Sequence, residues 1–251
     1  MGSSSSRSRF WVVLIAALVF TALTASLGFW QLRRAAYKEQ LDADITASQK
    51  LTPLINRDIR GSDDLGAWVH RPAELSGRWV SQATVFLDNR QMDGQQGFYV
   101  ITPLQLEADG RWILVQRGWS PRDFTDRSRL PTVPTPTGIV VVSGRIAAAP
   151  GKVYQLGEDG LGPIRQNLAV ASFAQEHKAV VLNGSLLQLL PVEGAEADGL
   201  LRNWPQVASG VHKHHGYAFQ WFGLCALIVI LYVWFQIISP LRSIRKQSRT
   251  L

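Results

Sequence analysis

The chain has 251 residues, with 26 lysines and arginines against 19 aspartates and glutamates, and its only cysteine is Cys225. A single cysteine excludes an internal disulfide, a CxxC redox pair and a site built from several thiolates. The net charge of +7 does not indicate a nucleic-acid partner, because residues 35–213 carry 18 basic against 19 acidic side chains. The positive excess lies beside two long apolar runs, as is typical of membrane-flanking residues.

The first apolar run covers residues 10–32 and contains no charged residue. About 20 apolar residues suffice for a helix to cross the hydrocarbon core, and aromatic residues lie at both ends of this run. The pattern predicts a cytoplasmic tail at residues 1–9 and a transmembrane helix at residues 10–32. A cleaved signal peptide is the alternative, but the run exceeds the usual apolar region of ~7–15 residues and shows no small-residue cleavage site after Gly28.

Residues 33–213 are predicted to form one extracytoplasmic, β-rich domain. Its first part, residues 33–50, is polar and favours helix, so it continues the first helix. Short β-type runs bounded by turn residues follow it. They are residues 73–80, 84–89, 97–102, 111–116, 138–145, 179–183 and 186–190. Asp93-Gly94 and Asp109-Gly110 predict hairpin turns, and residues 168–176 predict a helix. Antiparallel strands at this spacing favour a barrel or a sandwich.

The second uncharged run, residues 216–241, follows a histidine cluster and precedes Arg242. It predicts a second transmembrane helix at residues 214–241 and a basic cytoplasmic tail at residues 242–251. Both tails carry only basic charge, which favours the cytoplasm. Arg33, Arg34 and Lys38 oppose this orientation, but a long middle segment translocates largely regardless of charge. We therefore expect a multi-pass membrane protein, with an antiparallel, barrel-like α+β domain between two spanning helices and both termini in the cytoplasm.

Sequence motifs of common enzymes are missing from the chain. It contains no GxSxG, HExxH, GxxxxGK[ST] or GxGxxG motif, and two methionines with one cysteine offer few soft ligands for Cu(I). We do not expect an enzyme. A membrane-anchored enzyme or sensor that acts through a pocket in the middle domain is kept as a third hypothesis.

Three histidines, His212, His214 and His215, lie where the second predicted span begins. Imidazole is the commonest metal ligand among side chains, and ionisable residues near a span are functional by default. His214 shares a helical face with Tyr217 and Trp221, at spacings i, i+3 and i+7, whereas His215 lies about 100° away. With both tails on one side of the membrane, this end faces the same interface as the end of the first span.

The segment that leaves the first span contributes an aromatic residue and two arginines. An imidazole, aromatic rings and guanidinium groups at one interface suit haem, with the iron on the histidine and the propionates on the arginines. Ordinary interfacial aromatics and snorkelling arginines are the alternative. The candidate cofactor-binding residues are His214, His215, Tyr217, Trp221, Trp30, Arg33 and Arg34, with His214 the preferred ligand of the iron.

Several segments match a known pattern in order and placement. They are Gly28-Phe29-Trp30-Gln31-Leu32-Arg33-Arg34, Leu87-Asp88-Asn89-Arg90, Gly97-Phe98-Tyr99-Val100-Ile101-Thr102-Pro103-Leu104, Val115-Gln116-Arg117-Gly118-Trp119-Ser120-Pro121, and His214 with Tyr217 and Gln220-Trp221-Phe222. The chain resembles the surfeit locus protein 1 family, the assembly factors of haem–copper cytochrome oxidases, over most of its length. Gln116 departs from the family, in which asparagine is common before Arg-Gly-Trp.

The resemblance implies two membrane helices, a β-rich periplasmic domain at the bacterial inner membrane, and a role in building the haem-bearing oxidase subunit. It implies haem a binding through the histidine that His214 matches, although His212 and His215 are further candidate ligands. The expected partners are the haem-bearing subunit, the haem synthesis machinery and the lipid membrane. A non-haem scaffold that stabilises an oxidase assembly intermediate is the alternative.

The segment Arg117-Gly118-Trp119 is a second candidate region. A glycine between two large side chains at a strand end permits a bend that turns both side chains outward. Structural support is the favoured role of Arg117 and Trp119. A contact with a partner, the oxidase subunit or the edge of a haem, is the alternative.

Overall fold

The computed structural model describes residues 3–123, 125–126, 129–151, 162–205 and 210–242. Most of the predicted basic C-terminal tail, residues 243–251, lies outside the described residues. The chain forms two compact units. We call Met1–Ala43 with Gln206–Leu251 the helix unit, and Asp44–Pro205 the β unit. The helices and strands in chain order are α1 (Ser3–Gln49), β1 (Pro72–Trp79), β2 (Val85–Met92), β3 (Gln95–Leu106), β4 (Trp112–Pro121), β5 (Ile139–Ala147), β6 (Ile164–Arg165), α2 (Val170–His177), β7 (Val181–Gln188) and α3 (Val211–Tyr232).

Two helices are long and apolar enough to cross a membrane, and they cover Ser8–Gln49 and Val211–Arg242. The expectation that the polar residues 33–50 continue the first helix is confirmed, because α1 runs without interruption to Gln49. After Tyr232 the second helix widens into a π-helical segment, Val233–Ile238. Such segments are rare interruptions of α-helical hydrogen bonding.

The strands of the β unit form one mixed sheet that closes on itself. Its order is β1-β5-β7-β4-β3, and β1 pairs again with β3 through Gly77, Arg78 and Trp79. Strand β2 pairs with the same edge of β3 as β1 does, but nearer the start of β3, and β2 in turn pairs with the short β6. The three residue pairs between β1 and β3 close the sheet, so β1 and β3 are not left as free edges along this contact.

Each predicted strand overlaps an observed one, but β3 and β4 run four and five residues past their predicted ends, and there are three further differences. The sheet is not purely antiparallel, because β4 pairs with β7, and β2 with β6, in parallel. The runs 179–183 and 186–190 are one strand, β7, since Gly184 at φ +136° continues the strand instead of ending it. Strand β6 was not expected. Both hairpin turns are confirmed, and α2 begins and ends within two residues of the predicted 168–176.

The interior of the barrel is apolar and continuous. Alternate residues of β1 and β5, such as Leu75, Val142 and Ile146, point inward and are fully buried. They pack with Ile113 of β4 and Leu186 of β7. This alternation is the period of two that the sequence shows, so the inward faces were predictable from the sequence.

Candidate functional site

Small residues line the face of α1 that is buried within the helix unit. Thr24, Gly28 and Ala35 follow one another at helical spacing, and all three are buried. On α3 the buried residue is Ala218. Small side chains allow two helices to approach closely, which favours van der Waals contact between them. The helix unit therefore depends on close backbone approach and not on a core of large side chains.

One aromatic ring of α3 lies directly on Gly28. A Cβ atom at Gly28 would be 2.8 Å from two ring carbons of Phe222, closer than such atoms can lie. The same ring makes an edge-to-face contact with Phe29, with ring centroids 5.2 Å apart. A larger residue at position 28 would therefore displace the Phe222 ring, so Gly28 permits this contact between α1 and α3.

Two of the three clustered histidines contact α1. Nδ1 of His214 lies 2.8 Å from Oε1 of Gln31, and Nε2 of His215 lies 3.0 Å from Oε1 of Glu39. His212 is exposed, and no residue in the described part of the chain bonds to its ring. The histidines therefore differ in their partners, and only His214 is paired with an uncharged side chain.

The two contacts use different ring nitrogens. Amide and carboxylate oxygens only accept hydrogen bonds, so the ring nitrogen that faces them donates. With these oxygens facing the rings, the proton of neutral His214 is expected on Nδ1 and that of neutral His215 on Nε2. For His214 the outer nitrogen, Nε2, is left with a lone pair and bonds to no group among the described residues. For His215 the outer nitrogen is taken by Glu39.

The remaining predicted site residues lie around this contact without forming one cluster with it. Trp30 and Tyr217 are both exposed, and Trp221 is half-buried on α3. Arg33 and Arg34 are exposed, and the guanidinium of Arg34 lies 5.6 Å from the centre of the Tyr37 ring. The structure thus brings His214 to α1, whereas the predicted aromatics and arginines stay on the surface of the helices.

The partners of the histidines were missed from the sequence. Gln31 and Glu39 belong to α1, and each is more than 170 residues from its histidine. A signal for Gln31 does exist in the sequence. It lies three residues after Gly28 and four residues before Ala35, on the face of α1 that carries the small residues. No such signal marks Glu39, which is exposed at the helix surface.

The other candidate pair, Arg117 and Trp119, lies inside the β unit. Their side chains are 2% and 1% exposed, so the expectation that Gly118 turns both outward is wrong, and neither offers a surface to a partner. The pairing of β3 with β4 shifts by one residue at Arg117, so this residue is the extra one of a β-bulge. Gly118 is needed because a Cβ atom there would lie 2.6 Å from Cβ of Leu200.

Arg117 is buried and is held by several half-buried partners. It donates hydrogen bonds to Thr135 Oγ1 (2.7 Å) and to the carbonyl of Pro134 (2.8 Å), and its Nη2 lies 3.7 Å from a carboxylate oxygen of Asp198. Its guanidinium carbon lies 4.9 Å from the centre of the Trp79 ring. Burial lowers the pKa of Arg117 to about 10, against the raising effect of Asp198. The guanidinium still keeps its proton near neutral pH, so this network stabilises the fold and offers no acid or base for catalysis.

Comparison with known proteins places the chain in one family. The profile of the SURF1 family matches residues 18–226, a range that includes both Gln31 and His214. A SURF1-like protein of Rickettsia felis is 25% identical over 230 residues, covering 88% of this chain and 94% of the relative. A SURF1-like protein of Dictyostelium discoideum is 34% identical over 109 residues, 41% of this chain and 40% of the relative.

A yeast relative carries a functional name. The cytochrome oxidase assembly protein SHY1 of Saccharomyces cerevisiae is 28% identical over 93 residues, 37% of this chain. The match spans 24% of the yeast protein's length. The similarity to the yeast and Dictyostelium proteins therefore concerns less than half of each, whereas the Rickettsia protein matches almost from end to end.

Proposed function

The chain belongs to the SURF1 family, and we propose that it is an assembly factor for haem–copper cytochrome oxidase that holds haem a through His214. The family and the name of the yeast relative support the assembly role. The haem role is carried by one observation: the His214 ring is held through Nδ1, 2.8 Å from Gln31, while Nε2 bonds to no group among the described residues. An imidazole held in this way is a typical metal ligand.

The surroundings of this histidine suit an amphipathic cofactor. Trp30 and Tyr217 offer exposed aromatic surface one residue and one helical turn from the hydrogen-bonded pair. Arg33 and Arg34 offer exposed guanidinium groups that can pair with carboxylates. Haem, when bound, supplies an iron that takes the imidazole nitrogen and a macrocycle that lies on apolar surface. The residues present therefore fit the group.

We further propose that the helix unit lies in the plasma membrane of a bacterium, with both termini cytoplasmic and the β unit periplasmic. Val12, Leu18 and Ile230 are 61–63% exposed on the helix unit. Apolar side chains cost free energy when they face water, and an apolar environment would remove that cost. A Cys225→Ala, Ala108→Cys variant tests the orientation, because Ala108 is exposed at the β3–β4 turn. A membrane-impermeant maleimide should label it in intact spheroplasts, and labelling only after lysis would contradict the orientation.

The proposed partners are the haem-bearing subunit of the oxidase and the machinery that makes haem a. A non-haem scaffold is the second candidate. It is favoured by the fact that both histidine contacts join α1 to α3, so they can serve helix packing alone. The two candidates differ in whether the His214 ring is needed for a cofactor or only for the helix pair.

Spectroscopy of the purified full chain separates these candidates. We expect protein extracted in detergent from cells that make haem a to show a Soret band. His214→Ala should lower haem affinity by at least tenfold, whereas His215→Ala and His212→Ala, the matched controls, should retain the band. Colourless wild-type protein, or a His214→Ala protein with undiminished colour, would sink the haem role. Normal oxidase assembly with His214→Ala would then favour the scaffold.

A further inference from the structure

We propose that Gln31 is a positioning residue for His214: its amide oxygen selects the Nδ1–H tautomer and so keeps Nε2 as the electron-pair donor. The observation is the 2.8 Å contact between His214 Nδ1 and Gln31 Oε1 across the two helices. The sequence gives no role to this glutamine. The expected effect of Gln31 on haem binding rests on the proposed function. The expected tautomer of His214 is independent of that function.

The chemistry of the ring makes the partner decisive. A neutral imidazole has one N–H, so the nitrogen that donates to Gln31 leaves the other nitrogen as an acceptor or ligand. A partly buried hydrogen bond of this kind favours one tautomer roughly five-fold, the equivalent of about 1 kcal/mol at roughly 1.4 kcal/mol per factor of ten. Gln31 therefore sets which nitrogen can bind an electrophile such as a metal.

Gln31 is suited to this task by its place on α1. Its side chain is half-buried, between Gly28 one turn before it and Ala35 one turn after it, on the face made of small residues. Close approach of the two helices at Gly28 leaves the longer glutamine side chain to span the gap at the next turn. The amide is uncharged, so it orients the ring without adding a charge to the site.

The neighbouring histidine provides an internal contrast. Glu39 takes Nε2 of His215, at 3.0 Å, so in the neutral ring only the inner nitrogen, Nδ1, has a free lone pair. His214 has the opposite arrangement. The helix pair thus leaves the outer ring nitrogen open in one of two adjacent histidines and blocks it in the other. The free Nε2 of His214 is therefore explained by its contact with Gln31, and not by a property that both histidines share.

A hydrogen bond at Nδ1 also tunes the ligand. When the ring nitrogen that does not bind the metal donates a hydrogen bond, the ligating nitrogen becomes more basic and the plane of the ring is fixed. Loss of such a hydrogen-bond partner typically lowers metal affinity 10–100-fold. We therefore expect Gln31→Leu to weaken haem binding within that range. Gln31→Glu keeps an oxygen acceptor with a stronger pull on the proton, so it should preserve binding and lower the midpoint potential of the iron.

The decisive experiment needs no haem. The haem-free full chain, labelled with ¹⁵N-histidine, is examined in detergent at a pH of about 8.5, well above the ordinary histidine pKa of about 6.5. The His214 ring signals are assigned by their loss in His214→Ala. We expect Nδ1 to be protonated in the wild type and in Gln31→Glu. In Gln31→Leu the ratio of the Nε2-protonated to the Nδ1-protonated form should rise about five-fold. Gln236→Leu is the matched control and should leave the spectrum unchanged.

The outcomes separate this inference from the proposed function. An unchanged tautomer in Gln31→Leu overturns the positioning role, whatever the protein does with haem. A tautomer change together with a colourless wild type leaves the positioning role intact and sinks the haem proposal. If Gln31→Leu does not fold, judged by its circular dichroism spectrum, the test rests on Gln31→Asn. That shorter side chain cannot reach the ring and should give the same tautomer change, and wild-type ring signals in it would overturn the proposal.

Discussion

The two units of the molecule bury opposite kinds of side chain. The β unit buries large apolar residues such as Leu75 and Leu186, and it also buries the ion pair between Arg117 and Asp198. The helix unit buries small residues such as Ala35 and leaves its large apolar residues exposed. The β unit therefore carries its own source of stability, whereas the exposed apolar surface of the helix unit costs free energy in water.

The same contrast separates structural polar groups from candidate functional ones. In the β unit the buried guanidinium of Arg117 is enclosed by partners of the fold. In the helix unit the contact between His214 and Gln31 leaves the other ring nitrogen of His214 open among the described residues. A polar side chain with its bonds made inside the fold is thus weak evidence of function here. A ring such as His214, which is fixed through one nitrogen while the other has no partner in the described part of the chain, is stronger evidence.

The largest expected effect tests whether the buried ion network stabilises the β unit. Asp198→Ala removes the carboxylate that both Arg117 and Arg202 contact, so two enclosed guanidinium groups lose their counter-charge. Removing one partner of a buried pair costs about 3–5 kcal/mol. We expect a loss of that size in the free energy of unfolding, measured by urea titration of the full chain in detergent.

A surface pair supplies the control for this loss. Asp58 lies 3.7 Å from Arg57, and both side chains are exposed. Asp58→Ala should cost less than about 1 kcal/mol, because exposed ion pairs are screened by water. Equal losses in the two variants would show that burial does not distinguish the network around Arg117.

A smaller effect tests the close packing of the helix unit. Gly28→Val puts a side chain where the Phe222 ring lies, and overpacking of this kind costs about 1–3 kcal/mol. Helix proximity can be followed through Cys225, whose sulfur lies 3.7 Å from the carbonyl of Thr21. In a Thr21→Cys background we expect Gly28→Val to slow oxidation to the disulfide, measured by the loss of free thiols.

The matched control for Gly28 is another glycine of the same unit. A Cβ atom at Gly223 of α3 would meet nothing within 4 Å, so Gly223→Val changes helix propensity without the clash. We expect its disulfide to form at the wild-type rate. Similar slowing by both substitutions would mean that valine itself, and not contact with Phe222, separates the helices.

The smallest expected effect concerns pH and the β unit. Burial, with a smaller contribution from Arg145, lowers the pKa of His70, whose Nδ1 lies 3.3 Å from that guanidinium. The unfolded chain therefore binds a proton at His70 at higher pH than the folded chain does. This contribution to stability is complete well above the ordinary pKa of about 6.5 and is lost as pH falls below it.

The variant for this test is His70→Asn, because His70 has φ +76° and asparagine tolerates that conformation. Unfolding free energies measured between pH 8 and pH 5 should fall less steeply for the variant than for the wild type. The ring is partly exposed and water screens its charge, so we expect a difference under about 1 kcal/mol. Identical slopes would show that His70 titrates alike in both states.

Local sequence patterns predicted most of the fold. Alternation identified the strands, and the Asp-Gly dipeptides placed two hairpins, since both signals act over a few residues. The parallel pairing of β4 with β7 could not be predicted, because it joins residues such as Trp112 and Val181 that are far apart in the chain. The same limit hid β6, whose two residues are a strand only through their pairing with β2.

The candidate site divides in the same way. The sequence placed His214 at the start of an apolar helix and on the face of Tyr217 and Trp221, because helical periodicity is a local property. It gave Arg117 and Trp119 the wrong orientation, since a one-residue bulge reverses which side chains face inward. Haem as the ligand of His214 stays a prediction.

The sequence by itself determined the two apolar helices, the β-rich middle and the family, because composition, periodicity and short motifs carry that information. Only the tertiary structure decided that Gln31 holds one histidine and Glu39 the next. These contacts span more than 170 residues of chain, and they depend on how closely two helices approach at Gly28. No local sequence pattern predicts that distance. Helix packing therefore decides which of the two adjacent histidines keeps its outer ring nitrogen free.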